Sequence, residues 1–481
     1  MGSYDRLSAL DSSFLHMERI ETPMHVGAVS VFEGAPFFDE GGHFRINEVR
    51  ELVAARLPLL PRFRKRLMST PLEQGRPIWI DDERFDITYH VRLTALPKPG
   101  RWEQLVTLTT RVQETLLDRE RPLWELWFVE GLEDGHVGLI QKTHHALVDG
   151  VSGVDVATIL LDLTPDYTVA EPEEWTASTA PSSRTLLVNS LVERVTEPAE
   201  LVRSARRVVR VPRRSARRAV EVARSFSTMA SRDSIAPRTS LNTVPVGRHR
   251  RLGVARVPLA DVKAIRAALG GTVNDVVLAA VGGGLGRFLA HRGETIDDVK
   301  LRVMCPVSVR GDDERGALGN RVSAMFVSLP IGPMLPEERL EAVRATTKDL
   351  KEKQQAVAAD FLTSLTQYAA PTLMSMAARV AHRQPLFNLV CTNVPGPQVP
   401  LYLMGARMIE AFPIVPLTRN TSVVVGILSY DGTLYFGLFA DRDACPDVDH
   451  LAASIDDAFT ELSKAAQGAA AEPTAGEGSA R

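Results

Sequence analysis

Three cysteines, Cys305, Cys391 and Cys445, are all that 481 residues contain, and they lie far apart. Their odd number and wide spacing exclude a disulfide scaffold or a Cys-x-x-Cys zinc ribbon and predict a reducing compartment. Long hydrophobic runs are also scarce. The longest uncharged stretches, Phe361–Ala378 and Gln384–Ala406, are interrupted by proline and polar residues, so neither predicts a membrane-spanning helix. A secretory leader is not expected, because Asp5, Asp11 and Glu18 interrupt any apolar core near the start. Arg6 stands where myristoylation needs Ser or Thr. No Gly-x-Ser-x-Gly nucleophile elbow occurs, since Gly150-Val151-Ser152-Gly153-Val154 fails at its last position, and there is no phosphate-binding loop. Gly282, Gly283, Gly284 and Gly286 fall inside a helical pattern, where they predict close helix packing.

What is present is ordinary in bulk. Apolar residues make up 44% and charged residues 24%, which excludes a disordered, collagenous or coiled-coil chain. At about 150 residues per domain the length predicts two or three domains. The net charge of −3 is unevenly spread. Ten arginines face three glutamates between Arg194 and Arg224, a local excess of seven positive charges that leaves the remainder at −10.

Periodicity divides the chain into two mixed α and β halves. In the first, Val26–Glu33 alternates as a strand, Ile46–Leu57 reads as a helix, and Phe85, Ile87, Tyr89 and Val91 alternate as a second strand. Trp102 to Leu116 has helical spacing, and two apolar runs, Leu123–Leu132 and His136–Thr143, flank Glu133-Asp134-Gly135 as a hairpin. Residues 165–183 begin a linker rich in Pro, Thr, Ser and Glu. Small apolar residues then recur every three or four positions opposite the arginines, which predicts two basic amphipathic helices broken at Pro212. In the second half, strands are expected over Arg251–Val257, Leu301–Val309 and Val322–Leu329. Helices are expected over Leu259–Leu269, from Thr272 to about Ala290, and through most of Pro336–Ala378. A hairpin turns at Asp431-Gly432, and a terminal helix carries Val448, Leu451, Ile455, Phe459 and Leu462 on one face. These readings divide the chain into 1–180, a basic linker at 181–237, a second domain at 238–466 and a disordered tail at 467–481.

One segment could carry chemistry. His144 and His145 end a strand and run into Ala146-Leu147-Val148-Asp149-Gly150. A strand sends neighbouring side chains to opposite faces, so the two histidines cannot share a role. An imidazole is a natural general base for a hydroxyl, amine or thiol proton. Two satisfied turn histidines are the plain alternative. A metal held by His145 and Asp149 lacks a second ligand cluster, and none is expected. Thr272 and Asp275 form a capping box, leaving Asn274 to packing or to a substrate or oxyanion contact. Pro122 and Trp124 read as a strand opener and core filler, and Asn393-Val394-Pro395-Gly396-Pro397 as a rigid loop, either a cleft wall or a turn.

His144–Gly150 resembles the HHxxxDG signature of the CoA-dependent acyltransferase superfamily, which includes chloramphenicol acetyltransferase and the condensation domains of peptide synthetases. Pro122-Leu123-Trp124 resembles the PLW motif, and Asn274-Asp275-Val276-Val277-Leu278 the NDVVLA block. Thr392–Pro397 and Ser429-Tyr430-Asp431-Gly432 fit as well. Five blocks in order, between about Leu7 and Leu462, resemble the bacterial wax ester synthase/diacylglycerol acyltransferase family. The arginine-rich stretch carries no motif of it.

The resemblance implies an α/β fold of two chloramphenicol-acetyltransferase-like mixed-sheet domains with the active site in a tunnel between them. It implies that His145 is the general base for acyl transfer from acyl-CoA to a fatty alcohol or diacylglycerol, with no cofactor and no acyl-enzyme. Asn274, Asp275, Pro122, Leu123 and Trp124 are the candidate substrate or oxyanion residues. Asp149 is expected to turn away from His145 and pair with Arg310, holding the loop in shape beside Gly150. A condensation-type enzyme using carrier-protein thioesters, or one acylating an amine or glycolipid, is the alternative. A catalytically dead binding domain is a third, opposed by the intact His144, His145, Asp149 and Gly150.

The linker arginines read either as a solvated charge run or as a contact to an anionic bilayer or lipid-droplet surface. On the second reading the protein is cytoplasmic and peripherally membrane-associated. Nucleic acid is not expected, since only Phe226 offers an aromatic ring for stacking nearby. A charge near an anionic membrane contributes about 1 kcal/mol. Replacing Arg203, Arg206, Arg207, Arg210, Arg213 and Arg214 by Gln is therefore expected to weaken co-sedimentation with anionic vesicles, most at low salt. Unchanged sedimentation would leave the solvated run.

Overall fold

The computed structural model describes residues 5–69, 76–147, 159–169, 175–182, 235–242, 247–308, 322–368 and 386–471. The first half runs through β1 (Asp5–Arg6), α1 (Ala9–Met17), β2 (His25–Phe32), α2 (Ile46–Arg56), β3 (Lys65–Met68) and β4 (Ile78–Asp81). It continues with α3 (Ile87–His90), β5 (Val91–Ala95), α4 (Trp102–Glu114), β6 (Trp124–Glu130) and β7 (Val137–His144). The second half begins with β8 (Arg250–Pro258), α5 (Leu259–Leu269), α6 (Val273–His291), β9 (Lys300–Ser308), β10 (Val322–Pro330) and α7 (Pro336–Tyr368). It ends with β11 (Leu389–Pro395), β12 (Tyr402–Leu403), β13 (Ala406–Ile414), β14 (Val423–Tyr430), β15 (Thr433–Asp441) and α8 (Val448–Ala471).

Two six-stranded mixed sheets organise these elements, in the orders β12-β13-β2-β7-β6-β5 and β10-β9-β11-β14-β15-β8, with a small sheet β1-β4-β3 beside the first. Both Asp-Gly hairpins form where expected. Asp134 (φ 62°) with Gly135 (φ 71°), and Asp431 (φ 42°) with Gly432 (φ 79°), supply the left-handed pairs that a tight hairpin requires. Helix α4 lies on one face of the first sheet, where the absence of a side chain at Gly138 lets Leu105 sit against the strand.

Helix α6 is apolar nearly all round, as a helix must be to lie in a core. Its length and composition would suit a membrane span, but 78% of its apolar window is buried inside the protein, against the second sheet and α8. The capping box is in place, with Thr272 Oγ1 accepting from Asp275 N and Asp275 accepting from Thr272 N. The glycine run is a packing surface. A Cβ at Gly284 would come within 2.9 Å of the Ile455 backbone of α8, and one at Gly286 would overlap the Ile331 carbonyl oxygen.

Three expectations differ from the structure. Ile87 and Tyr89 belong to a single helical turn rather than a strand, because Asp86 caps it by accepting from Thr88 N at 2.9 Å; strand pairing begins only at Val91. Leu389–Pro395, whose end reads as a loop in the sequence, is an interior strand parallel to both neighbours, β9 and β14. Such strands are covered on both faces and lack the alternation that marks an amphipathic one. The terminal helix extends to Ala471, past the expected start of disorder at 467.

Sheet membership also departs from chain order. Strand β13 pairs antiparallel with β2, Phe412 opposite Val29 and Ile414 opposite Gly27, so residues 402–414 complete the first sheet although they lie late in the chain. The predicted helices at Arg194–Ser225, the helix after Gly150 and the tail at 472–481 lie outside the described residues.

Alanine at Gly284 or Gly286 is expected to destabilise the protein by about 1–3 kcal/mol through overpacking, read as a lower melting temperature. An unchanged melt for Gly286→Ala would mean that the α6 contact yields freely.

Candidate active site

The two histidines at the end of β7 sit in opposite environments. His144 is buried, whereas His145 is half-buried and opens the 3-10 turn His145–Leu147. Their backbones are stitched to both neighbouring strands, His144 N donating to Leu123 O at 2.9 Å and His145 N to Met24 O at 2.8 Å. His144 Nδ1 accepts from Ala146 N at 3.0 Å, which leaves its proton on Nε2. That nitrogen faces Glu18 Oε1 at 3.3 Å.

Glu18 is the buried charge beneath the pair, its side chain only 3% exposed. One oxygen accepts from Met24 N at 3.2 Å, and the other from Arg119 Nη2 at 2.8 Å. His25, opposite His144 in the strand register, brings Nε2 to 3.4 Å and donates Nδ1–H to Gln113 O. Burial alone would raise the Glu18 carboxyl, but the hydrogen bonds and charges of His144, Arg119 and His25 outweigh it and hold it at about 2. Burial, reinforced by Lys142, pushes His25 down to about 3 and keeps it neutral. Lys142 is itself buried; its Nζ donates to Thr115 O at 2.5 Å and lies 4.0 Å from Glu125, while burial lowers it to about 8.

Helix α1 grips both histidines. Its last turn closes with Glu18 N donating to Phe14 O at 2.9 Å, so the two side chains, four positions apart, project from one face. Glu18 meets His144. Phe14 stacks on His145, ring centroids 3.9 Å apart and planes 23° from parallel.

The other sequence candidates divide between packing and placement. Trp124 is buried against Phe63 and His90, and its indole N–H donates to Phe63 O at 2.8 Å. Leu123 is fully buried and acts on the site through the carbonyl that holds His144, and Pro122 O accepts from Trp124 N. Asp275 is buried and occupied on both oxygens, by Thr272 at the cap and by Thr347 Oγ1 of α7 at 2.6 Å. Asn274 is half-buried, and its Oδ1 accepts from Asn393 Nδ2 at 3.5 Å, which joins two blocks 119 residues apart. Asp149, Gly150 and Arg310 lie outside the described residues. The three cysteines are buried, and burial raises each thiol, Cys305 and Cys445 to about 12, which disfavours a thiolate nucleophile. Among the described residues no group of three or more His, Cys, Asp or Glu is arranged to hold a metal ion.

The second half reaches this cluster through β8. The buried guanidinium of Arg250 donates to Glu21 O in the loop before β2, and Glu114 at the end of α4 accepts from Arg250 N at 3.2 Å. Alongside, α4, β8 and α8 enclose a cleft of about 1040 Å³ whose walls carry both signs of charge, Arg111 and Arg442 with Glu103 and Asp456 among them. Glu18, Phe14, His25, Arg119 and Lys142 escape sequence reasoning as site residues. Their partners lie up to 131 residues away, as His145 does from Phe14, and no local pattern announces them. Glu18 shows in the sequence only as a charge that breaks an apolar stretch.

Comparison with known proteins adds the family. The model described as the wax ester synthase/diacylglycerol acyltransferase catalytic domain matches residues 7–277, and that of the WS/DGAT C-terminal domain matches 318–463. A probable diacylglycerol O-acyltransferase of Mycobacterium tuberculosis, tgs1, is 33% identical over 462 residues, covering 95% of this chain and 96% of that protein. A second from the same organism, tgs2, is 33% identical over 474 residues, covering 96% and 99%. The solved wax ester synthase/diacylglycerol acyltransferase of Marinobacter aquaeolei VT8 superposes with a TM-score of 0.67 at 26% identity, covering 96% of this chain and all of that one. The starter condensation domain of rhizomide synthetase superposes at 0.56 with 16% identity, over 97% of this chain and 95% of that one, a likeness of fold alone.

The buried histidines set an acid limit to stability. The folded value of His25, about 3, lies below the ordinary 6.5, so the unfolded chain binds the extra proton between them. Stability is therefore full above pH 6.5 and falls as the pH drops, by roughly 1.4 kcal/mol per pH unit for each such group. His90, pushed to about 4 by burial, adds a second. The depressed Glu18 contributes its full stabilisation above about pH 4.5 and loses it as the pH falls toward 2. His25→Gln is thus expected to remove about one proton from the slope of melting stability between pH 6.5 and 5. An unaltered slope would mean that the folded protein carries His25 protonated.

Proposed function

The chain belongs to the wax ester synthase/diacylglycerol acyltransferase family and is an acyl-CoA-dependent O-acyltransferase, and we propose that His145 is its general base. The acyl group is long-chain, and the acceptor is a diacylglycerol or a fatty alcohol, so that the products are triacylglycerol or wax ester. One observation carries the assignment of the base. Of the adjacent histidines, His144 is buried, with Nδ1 accepting from Ala146 N and Nε2 facing Glu18 Oε1 at 3.3 Å, while His145 is half-buried at the start of the turn that follows the strand.

The chemistry follows from that division of labour. His145 takes the proton of the acceptor hydroxyl as its oxygen attacks the thioester carbonyl. The tetrahedral oxyanion collapses, the C–S bond breaks, and the imidazolium returns the proton to the CoA sulfur. The Asn274–Asn393 amide pair stands as the candidate substrate or oxyanion contact. Each such donor is worth about 3 kcal/mol to a developing oxyanion. No covalent intermediate is needed, which agrees with the buried cysteines and the missing nucleophile elbow. Asp149 turns from the imidazole and pairs with Arg310 in this reading, and the arginine-rich linker places the enzyme on an anionic lipid surface on the cytoplasmic side. The condensation-type alternative has a likeness of fold on its side and nothing else.

A positioned base contributes roughly 10²- to 10⁴-fold in rate, so His145→Ala is expected to slow acyl transfer by two to four decades in a protein that still melts cooperatively. The measurement is free thiol released from palmitoyl-CoA in the presence of hexadecanol or dipalmitoylglycerol. His144→Ala is expected to cost less in rate and more in melting temperature. Near-normal turnover by a folded His145→Ala protein would sink the assignment.

A further inference from the structure

Helix α1 contributes more to the reaction than a covering surface. Ser8 caps its start by accepting from Asp11 N at 3.1 Å, and the buried side chains of Leu7 and Leu15 anchor it to the core. Asp11, Phe14, Leu15 and Glu18 fall at i, i+3, i+4 and i+7, a single stripe facing inward. From that stripe Glu18 holds His144 through Nε2, and Phe14 lies flat on the imidazole of His145.

We infer that Phe14 is a positioning residue for the base: its ring fixes the plane of the His145 imidazole and favours that imidazole in its protonated state. The inference rests on His145 being the base. A ring stacked at 3.9 Å opposes rotation of the imidazole about its last side-chain bond and meets the imidazole through its face, not through its nitrogens. His145 N, bonded to Met24 O, fixes the other end of the residue, so backbone and ring plane are both held. The stack also changes in strength during the reaction. A neutral imidazole meets the Phe14 face with dispersion alone, whereas the imidazolium formed as the hydroxyl loses its proton is drawn to the negative face of the aromatic ring. An interaction stronger in the transition state than in the ground state raises kcat rather than affinity.

The test uses the full chain with palmitoyl-CoA and hexadecanol, at a temperature where every variant is shown by its melt to be folded. Phe14→Leu keeps an apolar side chain but loses the flat ring, and Phe14→Tyr keeps the ring. The leucine variant is expected to lose about tenfold in kcat with KM for palmitoyl-CoA within about twofold, and the tyrosine variant to stay near wild type. In a His145→Ala background, Phe14→Leu is expected to cost nothing further, because the residue it acts through is gone. Wild-type kcat for Phe14→Leu, an equal loss in the leucine and tyrosine variants, or an equal loss with and without His145 would each overturn the inference. A His145→Ala protein as fast as wild type would instead remove the base itself, a separate failure with its own signature.

Discussion

A carboxylate buried among two histidines and an arginine is the constraint around which the site is built. Glu18 has little contact with water, and its charge is tolerable only because His144, Arg119 and the Met24 amide converge on it. Removing any of them leaves the carboxylate short of a partner in a medium where an unpaired charge is costly. The cluster therefore demands that the α1–β2 loop, the start of β2, the end of β7 and the segment after α4 arrive together. That meeting point is where His145 emerges.

Such a cluster is a poor source of net stability, since desolvation consumes much of what the Coulomb attraction returns. What it supplies is position. The same holds for the row beside it, where Arg92, Glu125 and Lys142 alternate in sign across β5, β6 and β7, with Lys142 pinned on Thr115 O just past α4. Apolar side chains would hold these strands as firmly, but an apolar residue in place of Glu18 would not dictate which ring nitrogen of His144 carries a proton. The Ala146 amide and the Glu18 carboxylate fix the tautomer of His144, while Phe14 lies flat against its half-buried neighbour His145.

How much of this was legible in the sequence depends on range. Asp134-Gly135 and Asp431-Gly432 announce their hairpins because two residues with positive φ suffice, and Thr272 with Asp275 announces a helix start because the cap is local. The His144–His145 pair is conspicuous for the same reason. Ile87 to Val91 misleads, since an alternating pattern competes with the cap that Asp86 provides. Strand β11 hides because it is an interior strand whose first residues are buried on both faces, Val390 in one core and Leu389 and Cys391 in the other, and β13 because its partner lies some 380 residues earlier. Glu18 and Phe14 are invisible as site residues for that reason too: nothing within their own helix distinguishes them from an ordinary inward stripe. Asn274, left open between packing and chemistry, finds its amide partner only through the fold.

The late strand β13 has a consequence for how the molecule comes into being. Until residues 406–414 have left the ribosome, β2 presents an unpaired edge, beside the very strand that carries the histidines. At about 5–20 residues per second that exposure lasts on the order of tens of seconds. The amino-terminal half is thus a nascent intermediate that cannot seal its own sheet, and it depends on its own carboxyl-terminal portion as an intramolecular chaperone. Splitting the two halves onto separate genes, or circularly permuting the chain between them, would turn that intramolecular closure into a problem of assembly.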